Sequence, residues 1–318
     1  MFKYLYTILK SNNPKLFCHK MLLSITIVLI VYYLYKFSEP PKIKGAEGFV
    51  QEAPFVLKTD LAVYDQFYAE VYDGITDRDK TCQRELYEIV KMTEPDTKNS
   101  TILDIGCGTG CMVAELVDAG YNAYGLDKSK AMLDIAEAKY PNLSFINGDV
   151  MESMAFENGL FSHILCTNFT IYEIPDKTAF FRNCYHWLKP NGYLVVHLVD
   201  KEKFSARTFK DSVMDLGAFY RSMQYPSKER KTSTTAEFID YVYNATYEFK
   251  QDIVVLKETF TDKETKHIRQ NENTLQMDKI EDVLRIASSV GFIIHGKTTM
   301  KSCGGDENQY LYVFERAM

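Results

Sequence analysis

Cysteine is sparse in this 318-residue chain: there are seven, and none forms a C-x-x-C pair. Cys107 and Cys111 stand four apart, but no His or further Cys lies nearby to complete a zinc set, so no metal is expected. Cys18, Cys82, Cys166, Cys184 and Cys303 are scattered, an odd set that fits reduced thiols better than a disulfide scaffold. Gly and Pro are modest at 16 and 9, and apolar and charged fractions of 46% and 25% are ordinary, which excludes collagen-like and disordered chains. Basic charge is also lacking where nucleic acid would need it. Residues 1–48 hold seven Lys and two Glu, net +5, which leaves −11 of the overall −6 on the remainder. A body that acidic makes a poor phosphate binder, so no nucleic-acid partner is expected. No P-loop, Ser-His-Asp order or paired-carboxylate spacing stands out.

Long apolar runs are scarce as well. Met21 to Tyr35 is uncharged and bracketed by Lys20 and Lys36. Fifteen residues give ~22 Å of helix, short of a ~30 Å hydrocarbon core. Lysine snorkelling and the flanking Tyr32, Tyr33, Tyr35 and Phe37 favour a single transmembrane helix over 21–37 all the same. A signal peptide fits less well, because 20 residues precede the run and no small-residue cleavage site follows. The expected organisation is a tail over 1–20, the membrane helix, a linker over 38–58 and one folded domain over 59–318.

What is abundant is alternation. Thr101–Cys107, Asn122–Asp127, Leu143–Asp149, Phe161–Asn168 and Tyr193–Asp200 read as strands, with helices over Cys111–Ala119, Ser129–Lys139 and Lys177–Leu188 between them. Such alternation means a parallel sheet with right-handed crossovers, a doubly wound α/β fold. An excursion over 201–276 follows, with a helix at 206–223 and three antiparallel strands over 238–249, 252–260 and 266–276. Asp278–Val290, Phe292–Met300 and Gln309–Arg316 then return to the sheet, the last strand antiparallel.

The chemistry begins at Asp104-Ile-Gly-Cys-Gly-Thr-Gly110, closing the first strand of the domain. Glycines there let the backbone turn sharply and approach an anionic ligand at a helix N-terminus. The third glycine of a dinucleotide fingerprint would fall on Cys111, so NAD fits badly. Asp127 ends the next strand, where a carboxylate can take both hydroxyls of a ribose; it also suits a helix-entry neighbour, since Ser129 can cap the following helix.

Together with Gly148-Asp149 and Leu188-Lys-Pro-Asn-Gly192, these residues resemble the class I S-adenosylmethionine-dependent methyltransferases. The likeness is good over about 60–200 and loose beyond. It implies a Rossmann-like methyltransferase sheet with an inserted antiparallel cap, and S-adenosylmethionine as cofactor. By the resemblance Asp104 and the loop Gly106, Cys107, Gly108, Thr109 and Gly110 would line the methionine end. Asp127 would hold the ribose, Asp149 with Val150 would border the adenine, and Lys128 and Asn168 would also stand beside the cofactor. Phe161-Ser162-His163 departs from the family, which often has Asp after the Phe.

Tyr64, Tyr68 and Tyr72 fall on one helical face at i, i+4 and i+8. The stretch Tyr64–Asp73 is similar to the capping helix of small-molecule N-methyltransferases, amino-sugar enzymes among them, and this implies that Tyr68 or Tyr72 meets the cofactor or the acceptor. Plain packing is the competing role. Glu173, after the fourth strand, is the candidate base or else a helix-entry carboxylate favoured by the following dipole; His197, late in the fifth, fits a core histidine better. The reading is a membrane-anchored methyltransferase with a small-molecule or lipid acceptor and a cytosolic catalytic domain. A binding module without turnover is the alternative.

Overall fold

A computed structural model describes residues 17–38, 51–205, 232–251 and 253–317. The chain divides into two units, residues 1–42 with 210–227, and all the rest. The described part of the first is one helix, α1 (Phe17–Ser38). Its described apolar side chains, Leu22, Val28 and Val31 among them, are exposed. The membrane-spanning helix expected over 21–37 is not supported: among the described residues no helix is long and apolar enough to cross a membrane. The lysines at 20 and 36 close the uncharged run before it reaches bilayer thickness. The helix expected over 206–223 lies outside the described residues.

The second unit opens with β1 (Phe55–Thr59), α2 (Gln66–Thr76) and α3 (Arg78–Thr93). The alternating core follows as β2 (Thr101–Ile105), α4 (Cys111–Asp118), β3 (Asn122–Asp127), α5 (Lys130–Lys139), β4 (Ser144–Asn147), β5 (Phe161–Cys166), α6 (Lys177–Trp187) and β6 (Leu188–Val199). Then come β7 (Ser233–Glu237), β8 (Tyr241–Phe249), β9 (Val254–Asp262) and β10 (Ile268–Leu275). α7 (Ile280–Val290), β11 (Phe292–Thr299) and β12 (Gln309–Arg316) close the unit.

The main sheet has seven strands in the order β11-β12-β6-β5-β2-β3-β4. All pairings from β4 to β6 are parallel, while β12 runs antiparallel to both β6 and β11. The doubly wound sheet with its antiparallel last strand is therefore present. Its order reverses at β2, whose neighbours are β3 and β5, and the C-terminal end of such a switch point is where open α/β sheets bind ligands. Ile102, Leu103, Ile164, Leu165 and Val195 are fully buried there, as expected of strands covered on both faces. Ser162, standing where Asp is common, ties β5 to β2: its hydroxyl accepts from Thr101 N–H at 2.9 Å and donates to Thr101 C=O at 3.1 Å.

A second sheet, β1-β10-β9-β8-β7, is the cap. It has four inserted strands where three were expected, and its fifth, β1, comes from the segment read as linker, pairing parallel with β10. Strand β1 has no buried residue, so its sequence carried no core-facing alternation. Against this sheet packs α2. Tyr68, Val71 and Ile75 of the helix join Tyr241, Tyr243, Ala245 and Phe260 in one apolar cluster.

Candidate active site

A cavity of about 650 Å³ opens between the C-terminal ends of β2 and β3, helix α2 and the cap sheet. Gly106, Gly108, Asp127, Lys128, Asp149, Val150, Asn168, Glu173, Tyr68 and Tyr72 all line it. The other four candidates do not. Asp104, Cys107, Thr109 and Gly110 are buried, the last three within the loop itself. Three of them have identifiable structural contacts. Thr109 Oγ1 donates to Asp73 at 2.5 Å, Cys107 packs against Gly125, and Gly110 starts α4 at φ +85° with Phe145 against its Cα.

Gly106 and Gly108 turn the loop at φ +69° and +54°. A Cβ at Gly106 would come within 2.6 Å of the Thr170 side chain, so glycine leaves the room that side chain occupies. Both oxygens of Asp127 accept backbone N–H groups, Oδ2 from Gly108 and Oδ1 from Ser129, each at 2.8 Å. Ser129 caps α5 by accepting from Met132 N–H at 3.2 Å, and its hydroxyl donates to Tyr64 C=O at 2.7 Å. Burial raises the Asp127 carboxyl above its ordinary value against the pull of those N–H groups. Asp149 behaves oppositely. Partial burial opposes ionisation, yet Lys128 Nζ at 2.7 Å and Met151 N–H at 3.0 Å bring its carboxyl below the usual range.

The three tyrosines do not share one helix: Tyr68 and Tyr72 lie on α2, whereas Tyr64 precedes it at the end of the short turn Asp60–Val63. Tyr68 is buried and meets Tyr64 and Tyr72 edge to face, with ring centroids 5.5 and 5.8 Å apart. The Tyr72 hydroxyl accepts from Asn168 Nδ2 at 2.6 Å, across the mouth of the loop. Tyr64, not singled out beyond the stripe, donates to Glu173 at 2.5 Å and accepts from Asn273 Nδ2 at 3.3 Å. Glu173 ends the turn that begins at Thr170, the residue against Gly106. The surrounding protein pushes its carboxyl up to about 7; the Tyr64 hydrogen bond pulls it down, while Asp127, Glu258 and Asp60 push it up further. The carboxyl faces the cavity, so solvent there moderates the shift and a ligand displacing that solvent restores it.

Sequence reading missed the cap's contribution. Glu258 on β9 lines the cavity while only 2% exposed. Its Oε1 accepts from Tyr243 Oη at 2.6 Å. Asn273, Tyr243 and Tyr247 line the same wall. Strand alternation aims them inward, but nothing in the run Lys257-Glu-Thr distinguishes a cavity carboxylate from an edge one. His197 is buried, with Nδ1 accepting from Phe169 N–H at 3.3 Å, and does not line the cavity. Among the described residues no cluster suits a metal ion.

Residues 102–192 match the methyltransferase domain family. The chain is similar to a malonyl-[acyl-carrier protein] O-methyltransferase of Halalkalibacterium halodurans, 29% identical over 43% of this chain and 53% of that protein. It spans about half the length of the curated relatives it matches. Two solved structures share the fold at low identity. An S-adenosylmethionine-dependent methyltransferase from Clostridium acetobutylicum superposes with a TM-score of 0.57 at 18% identity, over 79% of this chain and 98% of that one. The sugar N-methyltransferase KedS8 from a Streptoalloteichus species gives 0.56 at 19%, over 79% and 93%. The methyltransferase resemblance therefore stands: residues 102–192 match a methyltransferase domain, and the fold is shared with solved S-adenosylmethionine-dependent methyltransferases.

Proposed function

We propose that this chain is an S-adenosylmethionine-dependent methyltransferase acting on a small-molecule acceptor enclosed by the cap sheet. The observation that carries the reading is the conjunction of the glycine turn and Asp127, joined by one hydrogen bond and both facing the same cavity. The cradle fits the cofactor: Gly106 and Gly108 leave room for close approach, and each Asp127 oxygen keeps a lone pair for a ribose hydroxyl. Lys128 and Asp149 stand as a donor and an acceptor on the adenine side. Bound there, S-adenosylmethionine supplies a methyl group on a positively charged sulfur.

The chain's own residues then have three tasks. Tyr72 and Asn168 close the loop side and exclude water, since transfer needs an in-line approach with no competing nucleophile. Tyr64 orients Glu173 through its hydroxyl. Glu173, with its carboxyl near neutrality, takes the proton that a protonated nucleophile must shed. Titration calorimetry with S-adenosylmethionine and its demethylated product, then a methyl-transfer screen over amines, phenols and lipids, tests both halves. Cofactor binding without transfer to any acceptor would favour the binding-module alternative.

Two placements complete the proposal. The supporting observation for a cytosolic catalytic unit is the sequon Asn168-Phe-Thr170, whose Asn lines the cavity where a glycan would block it. Endoglycosidase treatment of the expressed chain should produce no mass shift. Membrane attachment rests on the exposed apolar side chains of α1. Liposome flotation of the full chain against the chain from residue 51 tests it, and equal partition would count against attachment.

A further inference from the structure

Asp73 stands where helix electrostatics disfavours it. It lies in the last turn of α2, which holds no basic side chain, and a carboxylate there meets the negative end of the helix dipole. Its side chain is nonetheless only 17% exposed, and both oxygens are held from outside the helix. Oδ1 accepts from Thr109 Oγ1 of the glycine loop at 2.5 Å, and Oδ2 accepts from Nζ of Lys139, the last residue of α5. Thr109 is buried and does not line the cavity, so its hydroxyl serves the helix and not the cofactor.

These bonds complete a frame. Before α2 begins, the chain is already tied to the same neighbour: Ser129, the N-cap of α5, donates to Tyr64 C=O at 2.7 Å. Helices α2 and α5 are thus joined at both ends, by Ser129 with Tyr64 and by Lys139 with Asp73. Tyr72, next to Asp73, sets its ring against Gly108: a Cβ at that glycine would lie 3.7 Å from Tyr72 Cε1. A ligand seated against Gly108 therefore lies beside Tyr72, and its passage requires the end of α2 to lift. The Tyr72–Asn168 hydrogen bond is a neutral tie across this path. Asp73 supplies the charged tie, and hydrogen bonds to an ionised group are the stronger kind.

We propose that Asp73 is a positioning residue: it latches the end of α2 onto the glycine loop and α5, and so sets how fast the cofactor enters and its demethylated product leaves. The inference rests on the methyltransferase reading and adds a gate to it. Neither Asp73 nor Lys139 lines the cavity, so breaking the latch changes no contact with the ligand. It lowers the barrier to opening for entry and exit alike. Both rates then rise together while their ratio, the affinity, holds, because a change felt equally by the free and bound states shifts no equilibrium. A residue that supported the bound fold alone would speed exit and weaken affinity.

The test follows S-adenosylhomocysteine binding to and leaving the immobilised full chain by surface plasmon resonance. Asp73→Asn keeps the side-chain shape and loses the ion pair; both rate constants are expected to rise about threefold or more, with Kd constant within about twofold. Lys139 is 41% exposed, and Lys139→Met is expected to reproduce the effect. Combined, the two changes should do no more than Asp73→Asn alone, since they break one shared interaction. Lys130→Met, which removes an exposed lysine from the other end of α5, is expected to leave both rates as they are. Should Asp73→Asn fail to unfold cooperatively, Lys139→Met decides alone. Unchanged rates in a folded latch variant, a change in one rate without the other, additive effects in the double variant, or a like rise in Lys130→Met would overturn the latch alone. Failure of the unsubstituted chain to bind S-adenosylhomocysteine would overturn the methyltransferase reading and the latch with it.

Discussion

The two walls of the cavity are built from different materials. On the loop wall the main chain does the work: three glycines at positive φ, two N–H groups fixed on Asp127, and strands buried on both faces. On the cap wall the work falls to side chains, Tyr243 and Tyr247 from β8, Glu258 from β9 and Asn273 from β10. A backbone cradle suits a ligand that never changes. Side chains on a sheet with a short exposed edge can be exchanged without disturbing the fold, and such a wall suits selection among acceptors.

The comparison breaks most visibly at Glu173. Glu173→Gln keeps the shape and removes the base, and turnover is expected to fall by about 10²–10⁴ while cofactor affinity holds. In the unsubstituted enzyme kcat should rise with pH through about 7, because the carboxyl must be ionised to accept a proton; that limb should vanish in the variant. An unchanged pH profile in Glu173→Gln would remove the residue from proton transfer.

On the loop wall, Gly106→Val forces a positive φ on a branched residue and drives its Cβ into Thr170. Strain of about 1–3 kcal/mol and overpacking of about 1–3 kcal/mol are expected. Cofactor binding should be lost and the urea midpoint lowered. The same change at Gly108 should be milder, since its Cβ meets the flexible end of Met132 at 3.2 Å.

Asp104 sharpens the contrast from beneath. Burial pushes its carboxyl up to about 7; Arg78 pulls it down, and Glu85 and Asp127 push it up. The folded state therefore holds that proton more tightly than the unfolded state does. Stability from this group is full below about pH 4 and is lost as pH rises toward 7, by on the order of a few kcal/mol. Asp104→Asn should flatten urea stability between pH 4 and 7, and a steep loss persisting in the variant would assign the dependence elsewhere. At the small end, Tyr72→Phe removes one hydrogen bond with Asn168, worth about 0.5–1.5 kcal/mol, and should cost a few-fold in turnover with stability nearly unchanged.

The same division explains what could be read from the sequence. The glycine loop, Asp127 and the alternating core are local signals, because neighbouring residues determine a turn at a strand end. Even there, Cys107, Thr109 and Gly110 do not line the cavity, since a five-residue turn presents only part of itself to one side, and Asp104 is buried within β2. The cap wall was nearly silent. Tyr64 meets Glu173, 109 positions away, and Glu258 meets Tyr243 across two strands, pairings that no local pattern encodes. Strand β1 hid in a linker because an exposed edge strand has no core face. The apolar run at 21–35 did form a helix, but its bracketing lysines leave it too short to span.

The central claim is that the loop wall holds S-adenosylmethionine through Asp127. Titration calorimetry of the full chain and of Asp127→Ala tests it directly. The account predicts saturable binding to the unsubstituted chain and a loss of ~1–3 kcal/mol, roughly 5- to 150-fold in Kd, in a variant whose thermal unfolding remains cooperative. Equal affinity in the two proteins, or no binding in either, would contradict it.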